Sequence, residues 1–196
     1  MANYQQTPTG DEGALIKRDW WRDWPDHRTP PPVDVKVMAW DTAFSAKTTA
    51  DRSAMVLWGT FAQRDSAGNI QQGIVLLDAF AGRLDFPALK MKAVEMQDVW
   101  KPDYLLIENK GTGQPLIQEL LGAGIFAQEA NPHRGSDKVM RTNAVADLFK
   151  SGLIWAPLGL RWVQQVRDEM AAFPNGENDA LHDAAVYSLL RIRQAG

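Results

Sequence analysis

The sequence predicts an α/β protein, with a mixed sheet of five strands or slightly more flanked by helices. Two patterns carry this expectation. Apolar runs of strand length come first, and helical spacing then alternates with further short apolar runs. The chain of 196 residues, 45% hydrophobic and 23% charged, is long enough to bury a sizeable core and has the composition of an ordinary globular domain.

Residues 1–32 differ in character from the remainder of the chain and are expected to form an N-terminal arm or linker ahead of a domain spanning 33–196. Asp19-Trp20-Trp21-Arg22-Asp23-Trp24-Pro25 packs three tryptophans into one short stretch. Pro30-Pro31-Pro32 reads as an extended linker, because adjacent prolines enter neither a helix interior nor a central strand. The tryptophan cluster needs cover, either from this domain's own surface or from a neighbouring domain or subunit.

The first strand is Val35-Lys36-Val37-Met38-Ala39-Trp40. Residues 55–61 and 74–80 are two more, joined through the turn-rich tip Arg64-Asp65-Ser66-Ala67-Gly68-Asn69 as a hairpin. Phe86, Leu89, Ala93, Val94 and Trp100 recur at helical spacing until Lys101-Pro102 closes the segment. The strand Tyr104-Leu105-Leu106-Ile107 comes next, then a Gly-Thr-Gly turn, a helix near 114–121 and a short strand at Ile125-Phe126-Ala127. Another helix spans about 138–151, with Gly152 as its stop signal. Leu153-Ile154-Trp155 is short and apolar, and helices near 160–172 and 179–194 finish the chain. Three antiparallel strands and then alternating helices and strands suggest the ribonuclease H-like topology, although periodicity alone leaves other α/β arrangements open.

Several function classes are excluded. Without cysteine there are no disulfides and no thiolate metal sites. Three dispersed histidines argue against an HExxH zinc site. No apolar run approaches the ~20 residues needed to cross a bilayer, and no secretory signal is visible, so an intracellular protein without membrane partners is expected. Gly111-Thr112-Gly113 lacks the GxxxxGK[ST] spacing of a nucleotide-binding loop. With a net charge of -3, a nucleic-acid partner would have to be met by a local basic patch.

Four acidic residues stand where chemistry is expected. Asp41 and Glu108 each end an apolar strand, and they project from the same end of the sheet if those strands are neighbours. Asp179 and Asp183 are four apart and share one face of the last helix. Carboxylates at the ends of buried strands are poorly solvated and need compensation. Oxygen-only ligation favours Mg²⁺ or Mn²⁺. A two-metal phosphodiester mechanism uses such acids to hold two cations ~4 Å apart, one activating water and the other stabilising the leaving oxygen. Each acid also has a structural reading: a turn former at Asp41, an ion pair with Lys110 for Glu108, a helix cap at Asp179 and a solvated helix face at Asp183.

The ordered set of motifs resembles the C-terminal nuclease domain of the large terminase subunit of tailed phages, the DNA-packaging motor protein. The resemblance runs from about Asp11 to the C-terminus. It rests on Trp40-Asp41-Thr42-Ala43, Ala50-Asp51-Arg52-Ser53-Ala54, Ile107-Glu108-Asn109-Lys110-Gly111-Thr112-Gly113, Asp137-Lys138 with Arg141, Phe173-Pro174-Asn175-Gly176-Glu177-Asn178-Asp179, and Asp183-Ala184. It implies an Mg²⁺- or Mn²⁺-dependent endonuclease, with two ions when DNA is bound, that cuts concatemeric double-stranded DNA as packaging starts and ends. Asp41, Glu108, Asp179 and Asp183 would then be catalytic metal ligands. Many members have paired aspartates where this chain reads Asp179-Ala180, which leaves the division of labour between Asp179 and Asp183 open.

The same resemblance implies a preceding ATPase domain, portal and small-terminase partners, and action in the host cytoplasm. Lys110, Arg134, Lys138 and Arg141 are candidate contacts to the DNA backbone, with His133 beside Arg134, and the hairpin tip near Arg64 is a further surface for DNA. Lys110 could instead neutralise Glu108, and His182 reads as structural rather than as a general base. Two alternatives stay open: another ribonuclease H-like nuclease, such as a junction resolvase or hybrid nuclease, and a catalytically silent DNA- or portal-docking module.

Overall fold

The chain alternates strands and helices around one sheet. The computed structural model describes residues 11–26, 28–44, 51–130 and 137–195. A 3₁₀ turn, Arg18–Trp20, leads into β1 (Arg22–Trp24), β2 (Val35–Asp41), β3 (Ser53–Arg64) and β4 (Ile70–Gly82). Then come α1 (Phe86–Trp100), β5 (Tyr104–Ile107), α2 (Gly113–Gly122), β6 (Gln128–Glu129), α3 (Lys138–Lys150), β7 (Ile154–Pro157), α4 (Arg161–Ala172) and α5 (Ala180–Gln194). No helix is long and apolar enough to cross a membrane among the described residues.

The strands form one sheet in the order β1-β7-β4-β3-β2-β5-β6. β2, β3 and β4 are the expected antiparallel meander. β5 and β6 add in parallel beyond β2, and β7 and β1 add in parallel beyond β4. This is the ribonuclease H-like arrangement, enlarged to seven strands by one short strand at each edge, β1 and β6, with β7 inside β1. One edge strand, β1, comes from the tryptophan-rich arm, and β6 sits later than the expected Ile125–Ala127. The Ile125 amide instead donates to the Leu120 carbonyl (2.8 Å) and closes α2, with Gly124 at φ +81° making the turn. Pairing to β5 begins only at Gln128, opposite Leu106.

Alternation along the central strands sorts side chains into two layers. Val37, Ala39, Val56, Trp58, Ile74 and Leu76 face α3, α4 and α5, whose Phe149, Val166, Ala185 and Leu189 are fully buried with them. Met38, Trp40, Met55 and Leu57 face α1 and α2 through Leu89, Ala93, Leu116 and Leu120. α5 is buried along most of its length, because it crosses the middle of the sheet rather than its edge.

The domain's own surface covers the arm's Trp21 and Trp24. Trp21 is buried and packs against the Trp58 ring (5.8 Å between centroids) and edge-on to Phe149 (5.1 Å). Trp24 sits edge-on to Phe61 and Trp155, and Arg22 lies over the Trp155 ring at 4.0 Å. Ion pairs of Arg18 with Asp168 and of Asp23 with Arg167 fasten the arm to α4. Truncating a buried aromatic of this size costs about 3–5 kcal/mol. Trp21→Ala should therefore lower the urea-unfolding free energy by that amount; a loss below about 1 kcal/mol would show that the arm is not part of the fold.

Candidate active site

Parallel pairing of β2 with β5 builds the site. Trp40 lies opposite Ile107, so Asp41 and Glu108, each one step further, leave the sheet at the same end. The Glu108 amide reaches the Trp40 carbonyl at 3.4 Å, which carries the pairing to the rim. Lys110 bonds to Glu108 through the backbone only, at 2.9 Å, and no ion pair joins the two side chains among the described residues.

The Gly-Thr-Gly turn holds this rim together. A Cβ on Gly113 would lie 1.9 Å from the Glu108 carbonyl oxygen, and one on Gly111 (φ +56°) would lie 2.7 Å from the Phe44 Cα. Only glycine lets the segment after Glu108 lie this close to the segment after Asp41. Between the two glycines, the Thr112 hydroxyl donates to the Ala43 carbonyl at 2.6 Å. The Ala43 amide donates to Ser53 Oγ at 3.0 Å, tying in the start of β3.

The start of α5 completes the cleft, which is lined by Asp41, Glu108, Lys110, Lys138, Asp179 and Asp183. Asp179 stands at the N-cap position, but its side chain makes no capping hydrogen bond and pairs instead with Lys138. Asp183 is buried rather than solvated, because its face of α5 points at the sheet. Its Oδ1 lies 3.1 Å from His182 Nδ1 and its Oδ2 lies 2.7 Å from Lys138 Nζ. His182 is itself buried, stacked on the Phe173 ring at 3.7 Å, with Nε2 2.9 Å from the Thr142 hydroxyl. Both ring nitrogens are engaged, so His182 orients Asp183. Glu169 secures the start of α5 by accepting from the Leu181 amide at 2.9 Å and from Arg52 at 2.8 Å.

These environments separate the acids. Burial pushes the Asp41 carboxyl well above the usual range, and the charges of Asp183 and Glu108 push it further, with Glu108 within hydrogen-bonding reach. Burial also works against the Asp183 charge, but the hydrogen bonds from His182 and Lys138 outweigh it and hold Asp183 below the usual range. Lys138 is held above its usual range: burial opposes its charge, and the contacts with Asp179 and Asp183 win. Tyr187 is raised mainly by burial and then by Glu108 and Asp183. The Tyr187 hydroxyl and the Thr42 hydroxyl in the cleft wall have no hydrogen-bond partner among the described residues.

Arg141 and the hairpin tip lie elsewhere. Arg141 sits over the Tyr187 ring at 5.4 Å and does not line the cleft. Arg134 and His133 fall outside the described residues. The hairpin tip near Arg64 is at the far end of β3 from the site: Ala54 pairs with Asp41, and ten further residues at ~3.3 Å each separate Ala54 from Arg64. Three residues that shape the rim, Glu169, Thr142 and Tyr187, are not singled out by sequence alone. The ordinary helical spacing around them gives no sign that they reach it.

No family model and no curated protein sequence matches the chain. Solved structures do. The large terminase nuclease of thermophilic phage G20c with bound magnesium superposes with a TM-score of 0.63 at 12% identity, covering 91% of this chain and 97% of that one. The P22 large terminase nuclease domain gives 0.60 at 15% identity, covering 91% and 90%. The large terminase of another thermophilic bacteriophage gives 0.63 at 12% identity, and there this chain spans only 44% of the other. At these identities the likeness shows a shared ribonuclease H-like fold.

The raised Asp41 carboxyl has a consequence for stability. The folded protein keeps this proton to higher pH than the unfolded chain, so stability falls as pH climbs past the ordinary carboxyl range and through the raised value. Asp41→Asn should therefore raise the melting temperature of the metal-free protein at neutral pH by about 3 °C, and the gain should vanish at pH 4. A lower melting temperature at neutral pH would contradict this electrostatic reading.

Proposed function

We propose that the chain is the nuclease domain of a terminase large subunit, a divalent-metal-dependent endonuclease that cuts concatemeric double-stranded DNA as packaging starts and ends. The observation that carries this reading is the meeting of Asp41, Glu108, Asp179 and Asp183 in one cleft at the sheet rim.

The donor set suits a hard divalent cation. It offers carboxylate oxygens without sulfur, burial and crowding push the Asp41 carboxyl above its usual range, and hydroxyls of Thr42 and Tyr187 lack partners nearby among the described residues. The G20c nuclease has been solved with magnesium, with zinc and with cobalt, which supports divalent binding by this fold. Asp41 and Glu108 would hold the cations from the strand side, and Asp183 with Asp179 from the helix side. Bound there, two Mg²⁺ or Mn²⁺ ions would supply an activated water and a stabilised leaving oxygen. His182 keeps the Asp183 carboxylate turned to the cleft. Lys110 and Lys138 would meet the phosphate backbone at the cleft mouth, which gives affinity without sequence preference.

In the full-length protein the domain would follow an ATPase domain and work with portal and small terminase subunits in the host cytoplasm. Residues 1–32 would then serve as the connection from that ATPase domain. Mn²⁺-dependent nicking of supercoiled plasmid is expected, reduced at least about 10²-fold by Asp41→Ala. Linear duplex should be cut in preference to a four-way junction or an RNA–DNA hybrid. Plasmid left intact by the wild-type protein would remove the nuclease reading, and a preference for junctions or hybrids would move the chain to another ribonuclease H-like activity.

A further inference from the structure

Half of the acidic cleft already carries a cation of the protein's own. Lys138 is the first residue of α3, and the start of that helix is firmly set. Asp137 caps it by accepting from the Met140 amide at 2.7 Å, and the Thr142 hydroxyl donates to the Lys138 carbonyl at 2.7 Å. From this base the ammonium group reaches across to α5, contacting Asp183 Oδ2 at 2.7 Å and pairing with Asp179. The oxygens it engages belong to the two helix-borne acids of the cleft. Among the described residues, no three acidic or imidazole side chains form a ready coordination group.

We propose that Lys138 is a tethered counter-cation, which holds Asp179 and Asp183 in the metal-free protein and is exchanged for the divalent ion when the site loads. The inference rests on the reading that these acids bind such an ion. An ammonium held on these carboxylates repels a metal ion bound to them, so metal affinity is the difference between two competing cations. The lysine needs no free ligand and offsets one of the two aspartate charges while the site is free of metal. A divalent ion carries twice the charge and would also be held by Asp41 and Glu108, which the lysine does not contact.

The exchange is sterically simple. The Lys138 side chain is 39% exposed and that of Asp179 47%, whereas that of Asp183 is 5% exposed. The ammonium therefore lies on the solvent side of the buried carboxylate and can swing outward on its flexible stem without opening the core. Displaced, it would stay at the cleft mouth, where a DNA phosphate offers it a new partner. Metal loading and backbone binding would thereby favour each other: the ion frees the lysine, and the phosphate keeps it from returning.

Calorimetric titration of MnCl₂ into the wild-type chain, Lys138→Met and Lys138→Arg, without DNA, tests this directly. Removing the competing charge should tighten Mn²⁺ binding by about tenfold in Lys138→Met, while Lys138→Arg, which keeps the charge, should stay near the wild type. The metal-free melting temperature of Lys138→Met should fall, because Asp179 and Asp183 lose their partner, and saturating Mn²⁺ should restore more of it than in the wild type. Mn²⁺ binding to the wild type with equal or weaker binding to Lys138→Met would overturn the exchange and leave the metal-site reading standing. No Mn²⁺ binding to either folded protein would overturn both.

Discussion

Asp41 and Glu108 are forced together by backbone pairing, and most of the local structure answers to that constraint. Parallel strands in register hold neighbouring side chains a few ångströms apart, and neither acid can move away without unzipping β2 from β5. Two carboxylates at that spacing, at the edge of a buried core, repel one another and lose solvation together. The fold accepts this cost instead of relieving it. Gly113 presses the following turn onto the Glu108 carbonyl, and Thr112 and Ser53 clamp Ala43 from either side. An arrangement so tightly held and so poorly neutralised by its own side chains is suited to a mobile external cation.

The second half of the cleft is built by different means. α5 is first a core helix, lying across the centre of the sheet, and its opening turn carries Asp179 and Asp183 to the rim. The site's geometry is thus inherited from the packing of the core. Glu169 fixes the height of that turn through the Leu181 amide, and His182, stacked on Phe173, fixes the rotation of Asp183. Burial and neighbouring charge hold the Asp41 carboxyl above its usual range, and the helix acids are paired with Lys138. A divalent ion entering the cleft would have to overcome the first and displace the second.

Much of this is legible in the amino-acid order, for reasons that differ by element. The central strands announce themselves through unbroken apolar runs, and an acid directly after such a run, as at Asp41 and Glu108, is costly enough to stand out. Asp179 and Asp183 follow from helical spacing. The edges of the sheet are harder to see. β1 is three residues of a tryptophan-rich arm whose burial depends on Trp58 and Phe149, far away in sequence. β6 is two polar residues beside an apolar tripeptide that closes a helix. Glu169 and Thr142 act only through distant partners, Leu181 and His182, and local pattern carries no information about such pairings. The sequence offers the hairpin tip near Arg64 as a surface for DNA, and only strand direction shows that it points away from the site.

Anomalous diffraction from crystals soaked in Mn²⁺ would test the central claim most directly. The account predicts manganese density in the cleft, ligated by Asp41 together with Glu108 or Asp183, with the Lys138 ammonium withdrawn from Asp183. Strong manganese peaks elsewhere on the molecule, with the cleft empty and Lys138 still seated between Asp179 and Asp183, would contradict it.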